Sequence, residues 1–133
     1  MDPSDNAAVE ALGPDGAAAT ILTPADGFSH RAEWWQVIRY EGRAAGFVLP
    51  VVFDGCDRQG LDEATIYHMG VAPTYRGRKL ARLLLRRATR ILVDHGVWRI
   101  YCDTAATNAA MIHVFESEGW QRLPARERPI LVP

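Results

Sequence analysis

The sequence predicts an α/β sandwich: a mixed, mostly antiparallel sheet flanked by helices. Short β-branched and aromatic runs bounded by turn residues come first in the chain, and such runs are typical of strands. Two helical patterns then alternate with further apolar runs, which gives the order βββαβα with closing strands. One domain is expected, because 133 residues with 48% hydrophobic side chains can bury a single core.

Charge and composition restrict the classes of partner. The formal net charge is -1, so the chain has no overall field that would attract nucleic acid or a membrane surface. Two cysteines, Cys56 and Cys102, are too few for a disulfide framework and lack metal-ligand spacing with the histidines. We therefore expect a cytoplasmic protein without a metal. The acidic, Pro- and Gly-broken N-terminus does not fit a signal peptide, and no apolar run is long enough to span a bilayer.

The chain begins with a segment that has no sustained periodicity. Residues 1–18 are rich in Ala, Gly, Pro and Asp, which predicts a flexible N-terminal tail. Residues 19–133 are expected to form the single domain, and residues 20–22 could supply a short first strand.

A β-hairpin is predicted next. Residues 34–40 and 43–53 are rich in aromatic and β-branched side chains, and Glu41-Gly42 between them is turn chemistry. Pro50 inside the second run indicates a bulge or an edge position, because proline cannot donate to a ladder. The polar residues 54–63 are expected to form a loop.

The central element is an apolar run over residues 64–71, which predicts a buried strand ended by Pro73. A helical pattern follows and persists to about Asp94, with Gly96 as a left-handed cap. Its apolar stripe predicts packing on a sheet; the members are Leu80, Leu83, Leu84, Ala88, Ile91 and Leu92.

The remaining elements alternate in the same way. Residues 97–102 predict a strand, and Asn108 or Thr107 is expected to cap a second helix that ends at Gly119. The side chains expected to face inward from that helix are Met111, Ile112 and Phe115. Residues 120–123 and 130–132 predict two closing strands around a charged turn.

A cationic turn joins the central strand to its helix. Seven of the fifteen Lys and Arg residues fall between Arg76 and Arg90, so the positive charge is local. A turn that opens a helix aims unpaired backbone N–H groups and the positive end of the helix dipole at one point. The combination predicts an anion site of the size of a diphosphate.

Arginines continue along the helix at i, i+4 spacing, and this row places like charges side by side. A bound diphosphate would offset the repulsion at Arg76, Arg78 and Arg82, which lie near the turn. Arg86 and Arg90 are instead expected on an exposed face, paired with acidic residues elsewhere.

Two blocks of the sequence resemble the GNAT superfamily of acetyl-CoA-dependent N-acyltransferases. The family's pyrophosphate motif is Arg/Gln-x-x-Gly-x-Gly/Ala; Arg76 and Ala81 match its ends, and Lys79 stands at the middle glycine. Val71-Ala72-Pro73 is similar to the family's preceding Val-x-Pro. Residues 108–119 resemble its Asn-x-x-Ala-x-x-x-Tyr-x-x-x-Gly helix, with Phe115 at the tyrosine.

The resemblance implies a GNAT-like α/β sandwich whose N-terminal helical part is reduced, because residues 1–33 are too few and too Pro/Gly-broken for the two helices that relatives place there. It also implies that acetyl-CoA lies beside the 64–71 strand with its diphosphate on the cationic turn. The cofactor-binding residues implied are Met69, Gly70, Val71, Arg76, Gly77, Arg78, Lys79, Leu80, Ala81, Arg82, Asn108, Met111 and Phe115.

The implied reaction is direct attack of an amine on the thioester in a ternary complex, with the Met69 backbone N–H as oxyanion donor. The amine must lose a proton, and the candidate bases, in order of preference, are Glu63, Tyr67 and His68. Phe115 cannot protonate the departing thiolate as the family's tyrosine does.

The acceptor amine is not identified by the sequence. Trp34 and Trp35 are adjacent in a predicted strand, so at most one is expected to line an acceptor pocket while the other joins the core. Glu33, just before the two tryptophans, is a further candidate both for the base and for binding the acceptor. The short N-terminal part predicts either an unusually open acceptor site or a homodimer in which a second subunit completes it.

Two alternative functions belong to other classes. An acyl-CoA-binding module without catalysis is favoured by Phe115, by the absence of a carboxylate at Thr65, where relatives often place a glutamate, and by the short N-terminal part. A nucleic-acid element built on the arginine-rich helix is disfavoured, because the net charge is negative and the leucine stripe commits half of that helix to the core.

Overall fold

The computed structural model describes residues 26–104, 106–123 and 130–133. The predictions of a tail over residues 1–18 and of a strand at 20–22 lie outside these ranges. The elements, in chain order, are β1 (Phe28–Ser29), β2 (Gln36–Tyr40), β3 (Arg43–Phe53), β4 (Asp62–Val71), α1 (Leu80–His95), β5 (Val97–Ile100), β6 (Cys102–Asp103), α2 (Ala109–Ser117), β7 (Gln121–Leu123) and β8 (Ile130–Val132). Short 3-10 turns precede β2 (Ala32–Trp34) and follow β4 (Pro73–Tyr75).

The larger sheet has the order β1-β3-β4-β5, with β2 also paired to β3. All pairs are antiparallel except β4–β5, which is parallel because α1 carries the chain back across the sheet. Glu41 (φ 50°) and Gly42 (φ 77°) form the tight hairpin turn between β2 and β3, since both positions need positive φ. This confirms the predicted mixed, mostly antiparallel sheet.

The predicted strand over residues 97–102 is divided between two sheets. The Tyr101 N–H donates to the Ala64 carbonyl of β4 at 3.1 Å, but the next residue, Cys102, pairs with Leu131 of β8. The smaller sheet therefore has the order β6-β8-β7. The single-strand prediction was wrong here because the apolar run itself carries no signal for a change of partner.

α1 packs its apolar face on the larger sheet, with one change from the predicted stripe. Leu85 is fully buried, whereas Leu83 is 48% exposed. Three consecutive leucines span about 200° of the helix circumference, so periodicity alone does not decide which outer leucine is buried. Gly96 (φ 100°) ends the helix as predicted.

The hydrophobic core lies on both faces of β3 and β4 and extends to α2 and the smaller sheet. Pro50 stands at a register shift between β3 and β4, which confirms the predicted bulge. Ile112 and Phe115 of α2 are buried and Met111 packs against the core, as predicted. None of the helices in the described ranges is long and apolar enough to cross a membrane.

Candidate active site

One wall of the site is the open edge of β4, and a bulge decides which backbone groups face it. The β3–β4 register pairs Pro50 with Ile66 and then Leu49 with His68, so Tyr67 is an extra residue on β4. An extra residue in one strand reverses the side to which the following backbone groups point.

Two hydrogen bonds show that reversal. The Ala64 carbonyl accepts from Tyr101 on the β5 side at 3.1 Å, whereas the Ala72 N–H donates to Ala45 on the β3 side at 2.8 Å. Eight residues separate Ala64 from Ala72, so an uninterrupted strand would direct both toward the same neighbour. The bulge therefore turns the N–H groups of Met69 and Val71 away from β3.

Those N–H groups meet open space because β5 separates from β4. The parallel pairing ends at Ala64 and Ile100, after which the chain joins the smaller sheet. Within the described residues, no strand pairs with this edge of β4 beyond that point. A fork opens between the two sheets, with Met69 and Val71 along one side of it.

The second wall is the turn that opens α1. Gly77 has φ 81° and Lys79, the N-cap, has φ 61°. Because Leu83 N–H is bonded to the Lys79 carbonyl at 3.3 Å, the N–H groups of Leu80, Ala81 and Arg82 lie before the first intrahelical bond. The N-cap side chain makes no capping bond, so the positive end of α1 is open to an anion.

Lys79 takes the left-handed conformation that the family's middle glycine adopts readily. For a residue with a Cβ this conformation costs about 1 kcal/mol relative to glycine. Lys79 in place of the glycine is therefore compatible with the left-handed turn, and it adds an exposed positive charge.

Both walls line one cleft of about 640 Å³. Its lining includes eleven of the thirteen predicted cofactor residues, Met69, Gly70, Val71, Arg76, Gly77, Lys79, Leu80, Ala81, Arg82, Asn108 and Met111. Sequence reasoning missed four further lining residues, Tyr75, Ala110, His113 and Val114. The last three lie on α2, and only Val114, three residues after Met111, stands at a helical spacing that would have indicated it from the sequence.

Arg78 and Phe115 are the two predicted residues outside that lining. The Arg78 guanidinium lies 4.8 Å from the Tyr40 ring centroid and donates to the Tyr40 hydroxyl at 2.9 Å, so it points toward β2. Phe115 is 4% exposed and packs edge-to-face on Trp120, with ring centroids 4.8 Å apart. The neighbour that holds Arg78 is distant in sequence, whereas Trp120 lies only five residues after Phe115.

Asn108 both caps α2 and lines the cleft. Its Oδ1 accepts from the Met111 N–H at 3.3 Å, and its Nδ2 donates to the Thr104 hydroxyl at 3.4 Å. The alternative cap, Thr107, is not used. The cap fixes the side chain at the cleft, so the structural role and a binding role are compatible.

The repulsion within the arginine row is offset in part by Glu118, an acidic residue that the sequence did not indicate as a partner. Glu118 of α2 accepts hydrogen bonds from both Arg82 and Arg86, and Arg90 pairs with Asp94 at 3.1 Å. Arg86 and Arg90 are 62% and 72% exposed, which confirms the expected exposed, paired face. Arg82 is paired with Glu118 in the same way, but unlike Arg86 and Arg90 it also lines the cleft.

The three candidate bases occupy different environments on β4. The Glu63 carboxylate is paired with Arg99 at 3.0 Å and is 10% exposed, at about 20 Å along the strand from Met69. Tyr67 is the bulge residue, and its ring meets the His68 ring edge-on at 4.9 Å. His68 is half-buried, and burial lowers the pKa of its imidazole. None of the three lines the cleft, but His68, directly before Met69, and Tyr67, two residues before it, are closer to Met69 along β4 than Glu63.

Trp34 and Trp35 are both core residues, each 6% exposed. Trp34 belongs to a 3-10 turn rather than to a strand, so the strand alternation that separated the two side chains does not apply. Trp35 Nε1 donates to the Pro50 carbonyl at 3.1 Å, and the Trp34 ring meets His95 edge-on. Glu33, in the same turn, is exposed.

Cys102 lies at the base of the fork. Thr65 Oγ1 is 3.7 Å from its thiol, the Ile66 backbone N–H also bonds to it, and burial raises its pKa to about 11. A neutral, enclosed thiol is a poor nucleophile. Among the described residues, no three His, Cys, Asp or Glu side chains gather as a metal site would require.

Curated relatives match half to two thirds of the chain. Over 85 residues it is 33% identical to ribosomal protein bS18-alanine N-acetyltransferase of Escherichia coli K12, covering 64% of this chain and 53% of the relative. The enzyme of the same name from Salmonella typhimurium is 36% identical over 66 residues, 50% of this chain and 45% of the relative. The chain thus spans about half the length of the curated relatives it matches.

Solved structures share the fold. The ribosomal-protein-S18-alanine N-acetyltransferase from Escherichia coli superposes with a TM-score of 0.71 at 20% identity, covering 99% of this chain and 87% of that one. Arabidopsis thaliana Naa50 with a CoA-Ac-MVNAL bisubstrate analogue gives 0.71 at 14% identity, covering 100% and 94%. Residues 10–120 match the family model described as acetyltransferase (GNAT) family. Because that match takes in most of the sequence, the chain belongs to the GNAT acetyltransferase family.

Proposed function

We propose that this chain binds acetyl-CoA in the cleft and transfers the acetyl group to a primary amine. The observation that carries the proposal is the meeting of two backbone features in one cleft: the open β4 edge and the open N-terminal end of α1. One feature suits an extended chain that pairs like a strand, and the other suits a diphosphate. Acetyl-CoA carries both groups on one molecule.

In the proposed complex, the diphosphate lies on the amides of residues 80–82, with Arg76 and Lys79 as cationic neighbours. The pantetheine arm extends along β4 and bonds to the N–H groups of Met69 and Val71, with Asn108 on its other side. The Met69 N–H then polarises the thioester carbonyl and stabilises the oxyanion that forms as the amine attacks. The acetyl group passes directly to the amine, and the CoA thiolate leaves.

Proton transfer is assigned to β4. His68 is the preferred base, because its lowered pKa keeps the imidazole neutral near pH 7, with Tyr67 next and Glu63 last. The leaving thiolate is not protonated by Phe115. A thiol with a pKa near ~8.5 leaves tolerably without help, and losing a general acid costs about 10²-fold in rate.

We propose the N-terminal amine of a polypeptide as the acceptor, on the basis of the names of the curated relatives, which are ribosomal-protein alanine N-acetyltransferases. A cytoplasmic location follows from that acceptor. The homodimer expected from the short N-terminal part is a further proposal, and a single monomeric species in analytical ultracentrifugation would remove it.

The direct test is thiol release from acetyl-CoA in the presence of peptides. A peptide that begins with alanine should be acetylated at its α-amine, as mass spectrometry would show. The same peptide with a blocked N-terminus and one internal lysine is the matched control and should give no product. Modification of the lysine instead would contradict the proposed acceptor, whereas failure to bind acetyl-CoA would contradict the function itself.

A second candidate, an acyl-CoA-binding module without catalysis, is supported by the burial of Phe115 at the position of the family's tyrosine. Calorimetry would then give acetyl-CoA binding, while a broad amine panel released no thiol. Substituting Phe115→Tyr should not restore activity in that case, because the ring packs on Trp120 rather than lining the cleft.

A further inference from the structure

An acidic side chain occupies a position where a helix disfavours it. Glu118 is the C-cap of α2, where the last carbonyls already present negative partial charge. Its side chain is only 6% exposed. A carboxylate enclosed at this end of a helix needs cations, and α1 supplies two of them.

Arg82 and Arg86 enclose that carboxylate. Arg82 Nε and Nη2 both lie 2.9 Å from Glu118 Oε2, and Nη2 also approaches the Ser117 carbonyl at 3.4 Å. Arg86 Nη2 donates to Oε2 at 3.1 Å, and Arg86 Nε donates to Oε1. The hydrogen bond from Arg86, followed by the bond from Arg82, holds the pKa of Glu118 below its usual range.

Arg82 is fixed at the place where the proposed diphosphate lies. It is the third residue of α1, lines the cleft and is 31% exposed. Its Nη1 takes part in none of the bonds to Glu118 or Ser117. That edge of the guanidinium group can therefore donate to another acceptor. An arginine held in one orientation before binding loses less side-chain entropy when an anion arrives.

We propose that Glu118 is a positioning residue for the nucleotide: it holds the Arg82 guanidinium toward the cleft so that Arg82 binds the diphosphate. The inference rests on the proposed function. Arg86 has a distinct part in it, because two arginines share one carboxylate. Glu118 keeps a full ionic partner in Arg86 while Arg82 is shared with the ligand, and a net positive charge remains at the cleft.

The opposite effect is also physically conceivable, since Glu118 could mask the charge of Arg82 and weaken anion binding. Calorimetric titration of the full chain with CoA separates the two. Glu118→Gln keeps the shape of the side chain, and we expect it to lower CoA affinity by about 5- to 20-fold. A loss of that size corresponds to part of the free energy of one charge-assisted hydrogen bond. Unchanged or tighter binding would overturn the proposal.

A double-variant cycle tests whether Glu118 acts through Arg82. If it does, Glu118→Gln combined with Arg82→Gln should bind CoA no more weakly than Arg82→Gln alone. Additive losses would mean that Glu118 acts through the fold, and the proposal would fail. Asp94→Asn, which breaks the exposed pair with Arg90, is the matched control and should leave affinity within twofold.

Arg82→Lys keeps the test decisive even if the Glu118 variants do not fold. Lysine preserves the charge but cannot hold the planar two-point contact with Glu118. We expect it to bind CoA about as weakly as Arg82→Gln, and wild-type affinity would overturn the proposal. If the wild-type chain itself does not bind CoA, the proposed function fails, and this outcome is distinct from all the others.

Discussion

The cleft and the base of the neighbouring fork are built from different chemical groups. The proposed nucleotide end, formed by the α1 turn and the β4 edge at Met69 and Val71, presents backbone N–H groups. The fork end, at the base of the fork where β5 leaves β4, lies outside the residues that line the cleft, and side chains meet there: Thr65 Oγ1 donates to the Cys102 thiol. A site built from backbone groups should tolerate a changed side chain such as Lys79, which keeps the left-handed turn, whereas a site built from side chains changes with each substitution.

That difference explains why the cofactor is easier to assign than the acceptor. Amides at a helix end or at an open strand edge select for phosphate or for an extended chain, whatever the local side chains are. At the fork end, the buried thiol and the paired Glu63 leave no such general preference. The predictions below test the contrast, beginning with the largest effect.

Removing one amide from the β4 edge should have the largest effect on catalysis. Met69→Pro deletes the N–H proposed as oxyanion donor, and that N–H points away from β3, so no ladder bond is lost. We expect kcat/KM to fall by about 10²- to 10³-fold. Steady-state kinetics of Met69→Ala, which loses the side chain but keeps the amide, provides the matched control. Equal rates for the two variants would refute the backbone assignment.

Changing a side chain on the opposite side of β3 should affect stability instead. Trp35→Phe loses the hydrogen bond to the Pro50 carbonyl and some buried surface, which should lower the free energy of unfolding by about 1–2 kcal/mol. Urea denaturation measures the change. The KM for acetyl-CoA should stay the same, and a raised KM would mean that this indole does reach the cleft.

Relieving backbone strain at Lys79 should raise the free energy of unfolding, by less than Trp35→Phe lowers it. Lys79→Gly removes the Cβ from a residue with φ 61° and should stabilise the fold by about 1 kcal/mol. Differential scanning calorimetry would then record a rise in Tm of about 3–5 °C. Lys79→Ala, which also removes the charge but keeps the Cβ, should give no such rise.

The smallest effect expected is a pH dependence from Glu118. Its pKa is lowered in the fold, so its ion pairs stabilise the protein above the unfolded carboxyl value and are lost as pH falls through the folded value. The difference in Tm between the wild type and Glu118→Gln should therefore shrink in acid. A difference that stayed constant from pH 7 to pH 3 would contradict the assignment.

Several parts of the fold and site follow from local sequence alone. The Glu41-Gly42 turn, the end of β4 at Pro73, the Asn108 cap and the cationic turn each depend on residues that are neighbours in the chain. Turn chemistry, capping and periodicity act over a few residues, so they can be recognised before any packing is known.

Other features depend on which distant residues meet. The hydrogen bonds of Arg82 depend on Glu118, 36 residues further on, and Arg78 turns toward Tyr40, 38 residues earlier. Both tryptophans joined the core, which agrees with the expectation that at most one would line an acceptor pocket, but the strand begins at Gln36, after a 3-10 turn. Contacts of this kind are set by sheet twist and strand register, which a local pattern does not contain.

The sequence by itself determined a central strand, a cationic turn and an arginine-bearing helix in that order, because each is encoded by short-range preferences. Only the tertiary structure decided that the Tyr67 bulge turns the Met69 and Val71 amides outward and that β5 parts from β4, so that no strand of the described residues pairs with them. Those two events require strands from separate parts of the chain to align, and alignment is a property of the folded sheet.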